Sequence, residues 1–181
     1  PRRLENLGAE IAADQRISLP CLRWTLRFQL DPFEATVLPD EQPLGMTWQV
    51  LALDYLNALI PPPVREHLSF TDFSELRTYR EAYEGRVLGR LLRTVGADAE
   101  TFSEAARGSG GELLGEKPLL WQFDFFPLFD LQVVRHPGDE ELSPTCNVLF
   151  PDNAVQLVSA ECVIVAAEKL VSSLNGKGPT K

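Results

Sequence analysis

The sequence predicts an α+β fold built on a mainly antiparallel sheet, and three observations carry that prediction. Strand-like alternation occurs in two groups, an N-terminal hairpin and a set of strands in the last third of the chain. About four to five helical stripes stand between and after them, enough to cover the sheet. The regular strand–helix alternation of a doubly wound parallel sheet is missing. The strongest stretch runs from Trp121 to Val134, where Trp121, Phe123, Phe125, Phe129, Leu131 and Val133 can line one face of extended chain. Gln122, Asp124, Asp130 and Gln132 fall on the other, wetter face. Pro127 has no N–H to give a neighbouring strand, so the stretch is two strands joined at Phe126-Pro-Leu, or one strand sharply bent there.

Taken in order, Leu4, Leu7 and Ile11 recur at helical spacing and predict a short amphipathic helix. After Pro20, Leu22, Trp24, Leu26, Phe28 and Leu30 alternate with Arg23, Thr25, Arg27 and Gln29, the cleanest strand pattern in the chain. Asp31-Pro-Phe carries turn chemistry, and Glu34 to Leu38 return beside that strand as a hairpin with one charged face. Trp48, Leu51, Ala52, Tyr55, Leu56 and Leu59 place a helix over Thr47 to Ile60, with Thr47 as N-cap and the Pro61-Pro-Pro63 run as its stop. Val64 to Thr78 shows no clear period; within it, Leu68-Ser-Phe-Thr-Asp-Phe73 reads as a short strand or as a loop pinned by two Phe rings.

From Tyr79 a helical stripe resumes through Tyr83, Val87 and Leu91, with Gly96 as a left-handed residue after Val95. Asp98 is placed to cap a short helix carrying Phe102, Ala105 and Ala106, which Gly108-Ser-Gly-Gly111 breaks. Beyond the Trp121 to Val134 pair, Arg135 to Pro144 is a polar connector and Thr145 to Phe150 another strand. Ser159 caps a last helix whose core stripe is Val163, Ala166, Ala167, Leu170, Val171 and Leu174, with Lys169 and Lys177 toward the end where the helix dipole favours cations. Asn175 to Lys181 reads as a frayed tail.

A chain of 181 residues, 44% hydrophobic, is long enough for one sizeable core, and a single domain over 1–181 is expected. Its net charge of −9 is spread over isolated acidic residues, which argues against duplex nucleic acid or an anionic membrane surface as partner. No apolar run approaches the roughly 20 residues that span a bilayer, and the first residues lack the apolar core of a signal peptide, so a cytoplasmic protein is expected. The chain opens on Pro1, which fits processing or a fragment of a longer gene product. Cys21, Cys146 and Cys162 are isolated and odd in number, with neither disulfide nor metal spacing, and read as small buried hydrophobes. With only His67 and His136 beside them, no metal site is expected, and no cofactor is indicated.

The order Leu51-Ala-Leu-Asp-Tyr-Leu56, Leu68-Ser-Phe-Thr-Asp-Phe73 and Tyr79-Arg-Glu-Ala-Tyr-Glu-Gly-Arg86 resembles a family of prokaryotic proteins, frequent in anaerobes, known only as a domain of unknown function. Phe125-Phe-Pro, Leu131-Gln-Val-Val134, Gly138-Asp-Glu-Glu141, Val148-Leu-Phe-Pro-Asp152 and the helix after Glu161 extend the resemblance from about Trp24 to Leu174. It implies an accessory role near iron–sulfur and corrinoid proteins of one-carbon metabolism. It supplies no catalytic residues, and this chain has no cluster-binding cysteine motif.

Candidate sites are few. Arg86, Arg90 and Arg93, at i, i+4 and i+7, put three guanidinium groups on one helix face, a row able to hold a phosphate or carboxylate; a solvated face paired with Glu is the plainer reading. Asp124 and Asp130 approach one another if the chain folds back at Pro127, and two close carboxylates can share acid–base work or a cation, against the plainer pairing with Arg23 and Arg27. His136 stands at a strand end and, across a hairpin, could meet Cys146 as a thiolate-activating pair. Asp139, Glu140, Glu141 and Asp152 lack the ligand spacing and mid-loop Gly of an EF-hand. Gly108 to Glu112 follows a helix, the reverse of a phosphate loop. The preferred expectation is a binding or accessory module with a protein partner; the alternatives are a small enzyme using Asp124, Asp130 or His136, and a binder of a small anion at Arg86, Arg90 and Arg93.

Overall fold

Two antiparallel sheets, each of five strands, account for every strand of the computed structural model, which describes residues 2–180. The first is a meander of β1 (Glu10–Ile11), β2 (Ile17–Cys21), β3 (Trp24–Leu30), β4 (Phe33–Leu38) and β5 (Gln42–Pro43), in chain order. The second has the order β6-β10-β9-β8-β7, with β6 at His67–Ser69, β7 at Glu112–Glu116, β8 at Leu119–Phe126, β9 at Phe129–His136 and β10 at Thr145–Pro151. The fold is α+β with antiparallel sheets, as the clustering of alternating segments predicts, but the two strand groups form separate sheets.

The helices are α1 (Arg2–Asn6), α2 (Met46–Leu56), α3 (Arg80–Ala82), α4 (Gly89–Leu91), α5 (Ala99–Gly108), α6 (Ala154–Leu157) and α7 (Ala160–Leu174). Each of α3 and α4 runs on into a π-helical stretch, Tyr83–Leu88 and Leu92–Gly96, so residues 80–96 form one irregular rod. Its predicted stripe holds: Tyr83, Val87 and Leu91 are buried. Tyr79 belongs instead to a 3-10 turn, Ser74–Tyr79, before the rod. Gly96 lies inside the second π stretch and is not left-handed; a Cβ there would stand 2.8 Å from the Cys146 sulfur.

Several boundaries differ from expectation for local reasons. Gly8, at φ +79°, ends α1 early and lies directly against the Pro127 ring, so Ile11 leaves the helical register and pairs in β1. The sequence does not advertise β2 because Pro20 sits inside it. The strand tolerates proline there because β1 covers only Ile17 and Ser18, leaving Pro20 on an unpaired edge. Leu22, at φ +52°, is a turn residue, and β3 begins at Trp24. Leu26 and Phe28 are buried as predicted, while Leu30 at the hairpin tip is 61% exposed. The α2 helix is capped by Gly45 rather than Thr47 and stops at Leu56, five residues ahead of the prolines, with Leu59 and Ile60 outside it and exposed.

Asp98 and Ser159 cap as expected: their side chains accept from Thr101 N at 2.7 Å and Cys162 N at 3.4 Å. The stripe of α7 is buried throughout, and Lys169 places its ammonium 5.8 Å from the Trp48 ring centroid. The C-terminal segment is docked rather than frayed: Thr180 bridges Leu44 and Gly45 N donates to Pro179 O at 2.9 Å. Lys181 lies outside the described residues.

The β8–β9 hairpin supplies the centre of the core. Trp121, Phe123, Phe125, Phe129, Leu131 and Val133 are all buried, as the alternation predicts. Phe125 stacks on Trp48 of α2 with centroids 5.8 Å apart and planes 5° from parallel, and Phe126 stacks on Tyr55 at 4.6 Å. Gly111 lets α5 close down on this wall, since a Cβ there would stand 2.6 Å from the Phe123 ring. Replacing Phe123 with Ala is expected to cost about 3 to 5 kcal/mol in urea unfolding, and a loss under about 1 kcal/mol would contradict its central place.

Candidate functional site

The outer face of the second sheet carries the one close pair between a histidine and a carboxylate among the described residues. His67 on β6 pairs with Pro151 on β10, and Asp124 on β8 pairs with Asp130 on β9. Carrying the β10–β9 register two residues past Leu149 and Gln132 sets Pro151 opposite Asp130. Paired residues share a face, so His67, Pro151, Asp130 and Asp124 form a row across four strands, opposite the face bearing Phe123, Leu131 and Phe150. The His67 and Asp130 side chains span the intervening strand and meet, Nε2 to Oδ2, at 2.6 Å. They are 15% and 19% exposed, more shielded than a surface pair. A carboxylate only accepts, so it is His67 Nε2 that carries the proton of this contact.

Asp124 and Asp130 directly oppose one another, an arrangement that costs free energy when both are charged. His67 offsets that cost on one side only. Asp124 stays exposed, with no hydrogen bond to its carboxylate among the described residues, while the next row is closed by Gln132 Nε2 donating to Gln122 Oε1 at 3.1 Å.

A strap of apolar residues converts this row into a cleft of about 670 Å³. Ile60, the Pro61–Pro63 run and Val64 form one wall, Pro127 and Leu128 another, and Asp124, Asp130, His67 and Gln122 the polar floor. The strap is tied to the end of β10. Asn153 Nδ2 donates to Pro62 O at 2.8 Å, Asp152 Oδ1 accepts from Arg65 N at 3.3 Å, and Asp152 N donates to Glu66 O at 3.0 Å. Among the described residues, Asn153 Oδ1 has no partner and is buried at this rim. The opposite wall is fixed by Tyr55, whose hydroxyl donates to Leu7 O at 2.8 Å and accepts from Leu128 N at 3.1 Å.

The match to a protein-family model runs over residues 1–173, nearly the whole chain. The chain belongs to the DUF3786 family. That family is described as a domain of unknown function. Among curated proteins and among solved structures, nothing matches the chain.

The sequence candidates are distributed over this DUF3786 fold as follows. Asp124 and Asp130 do come together. His136 closes the other end of β9, six residues and roughly 20 Å from Asp130 at strand rise, and lines a different cleft. Cys146 pairs with Arg135 and is buried under Gly96, where desolvation pushes its thiol up to about 11, the wrong direction for a nucleophilic thiolate. Arg86 approaches Glu168 at 3.5 Å and Arg90 donates to Ser172 Oγ at 2.9 Å, so two of the three guanidinium groups engage α7; Arg93 lies over Gly89. Asp139 folds onto its own loop, accepting from Glu141 N and Leu142 N, and those bonds hold its carboxyl below the usual range. Among the described residues, no three His, Cys, Asp or Glu side chains gather as a metal cage.

His67 is the residue that sequence reasoning missed. Its segment is only three residues of strand, too short for a period, and the partner that gives it meaning is 63 residues away.

Tyr55 links the cleft to the core and titrates accordingly. Burial pushes its hydroxyl up to about 12. The folded state therefore resists losing a proton that the unfolded chain gives up near the ordinary value of about 10. This contribution to stability is complete below pH 10 and declines as pH rises through about 12. Replacing Tyr55 with Phe strands Leu7 O and Leu128 N–H and is expected to cost about 1 to 3 kcal/mol at pH 7. Unfolding measured from pH 8 to 12 should then show a shallower alkaline fall for the variant than for wild type.

Proposed function

We propose that the protein is a binding module, one domain working in the cytoplasm, whose His67–Asp130–Asp124 cleft takes a small organic cation or donor-rich molecule. The observation that carries this reading is the row itself: two carboxylates opposed on neighbouring strands, only one of them answered by a histidine. Asp124 is the open position for an ammonium, amidinium or hydroxyl donor, and the proline strap provides an apolar wall for the rest of the ligand. A volume of about 670 Å³ is within the range of small-molecule sites.

A second reading, acid–base chemistry at the same place, is favoured by the 2.6 Å contact that orients His67 as a base. The cleft lining includes no serine, threonine or cysteine, so the groups it offers to a reaction are the Asp124 and Asp130 carboxylates and the His67 imidazole. A protein partner, which the accessory role in anaerobic redox or one-carbon metabolism implied by the family resemblance would require, is supported by an apolar surface on α2. Met46, Val50 and Leu53 are 71%, 53% and 40% exposed along one side of that helix, a surface suited to a protein partner.

Ligand-observed NMR with benzamidine and small primary amines, set against matched carboxylates, tests the cleft. The cations are expected to bind wild type and to be lost in the D124N/D130N variant, while binding of the carboxylates is expected to be the same in both proteins. Equal binding of the cations to wild type and to a folded D124N/D130N variant would contradict the assignment.

A further inference from the structure

A second cleft, at the opposite end of β8 and β9, has the reverse electrostatic character. It measures about 630 Å³ and lies between α5 and the β7–β8 hairpin. Ala99, Ser103 and Arg107, spaced four residues apart on α5, form one wall, as i, i+4 residues of a helix do. Leu113, Pro118 and Leu119 form the facing wall.

The charges at this cleft run against the average of the molecule. The chain as a whole carries −9, yet Arg107, Lys117 and Arg135 line the cleft with His136, and Glu116 is its single carboxylate. Arg135 is buried and already committed, its Nε donating to Gly96 O at 2.8 Å and an Nη to Ala97 O at 2.9 Å. It contributes a fixed positive charge where the rod 80–96 ends. Arg107 and Lys117 are exposed, and among the described residues neither forms an ion pair.

The second observation is an orphaned donor. Trp121 is only 2% exposed, its indole lies against this cleft, and its Nε1–H is buried with no acceptor among the described residues. Buried indole N–H groups are nearly always paired, and leaving one unpaired is costly. The Arg107 guanidinium stands 5.6 Å from the centroid of the same ring, so a cation, an unpaired donor and an aromatic surface converge.

We propose that this cleft is a binding site for a small amphipathic anion, a flat apolar body carrying one carboxylate. The body packs between α5 and the Leu113, Pro118 and Leu119 wall. The carboxylate takes Arg107, the one residue here able to grip it through two parallel N–H groups, with Lys117 as a second charge. Seated there, the ligand borders the Trp121 indole, whose shielded N–H senses its arrival. This site is separate from the His67 cleft and stands whether or not that cleft binds cations.

Titration with 2-naphthoate, read by calorimetry and by the Trp121 indole N–H resonance, tests the proposal; Trp121→Phe identifies that resonance. The naphthoate is expected to bind and to shift the Trp121 signal, whereas the neutral 2-naphthamide binds about tenfold or more weakly, a difference of about 1.4 kcal/mol. Arg107→Glu and Arg107→Gln, both at an exposed position, should lose about tenfold or more in naphthoate affinity, with D130N unaffected. The proposal is overturned if naphthoate fails to bind at millimolar concentration, if it binds without moving the Trp121 resonance, or if both folded Arg107 variants bind it as well as wild type does.

Discussion

The structure depends most on one irregularity, the bulge in β8 between Asp124 and Phe126. Strict alternation would send Phe126 to the same face as Asp124. The register instead passes from Asp124 opposite Asp130 to Phe126 opposite Phe129, so Phe125 is the extra residue and both rings turn inward. Each then finds a separate aromatic partner on α2, Phe125 on Trp48 and Phe126 on Tyr55. A single inserted residue thereby anchors the helix that joins the two sheets.

The same irregularity decides where the polar chemistry lies. Because the bulge ends regular pairing at the Asp124 and Asp130 row, those carboxylates stand at the rim, beside the Pro127-Leu128 turn. Tyr55 holds that turn from inside, through the hydroxyl that bonds both Leu7 O and Leu128 N. Gly8 permits the N-terminal segment to lie against Pro127, because neither its positive φ nor the contact leaves room for a side chain. The core and the cleft are thus two faces of one hairpin end. The hairpin's other end, where β8 starts and β9 finishes, carries the contrasting cleft with Trp121, Arg107 and Arg135.

How much of this was legible in the sequence follows from the range of each interaction. The aromatic wall, the β3–β4 hairpin, and the Asp98 and Ser159 caps depend on residues a few positions apart, and pattern and spacing reveal them. The antiparallel α+β class follows from the same patterns. The division into two sheets does not, since pairing between distant strands leaves no local mark. Elements that break a local rule were hidden as well: β2 contains Pro20, and the rod 80–96 is part π-helical, which alters the spacing on which the arginine row was read. Of the site, Asp124 and Asp130 could be paired from the bend at Pro127. His67 could not, because β6 joins the sheet through β10, and the bond to Asp130 spans a strand that lies far away in the chain.

The central claim is that this cross-strand row is an ordered polar site, and the proton between His67 and Asp130 tests it most directly. Nitrogen-resolved NMR of the histidine rings in wild type and D130N would show it. A hydrogen-bonded Nε2–H resonance from His67 that persists against solvent exchange in wild type, and disappears in D130N, is the predicted result. A His67 ring whose proton exchanges as freely in wild type as in D130N would contradict the row, and with it the cleft built upon it.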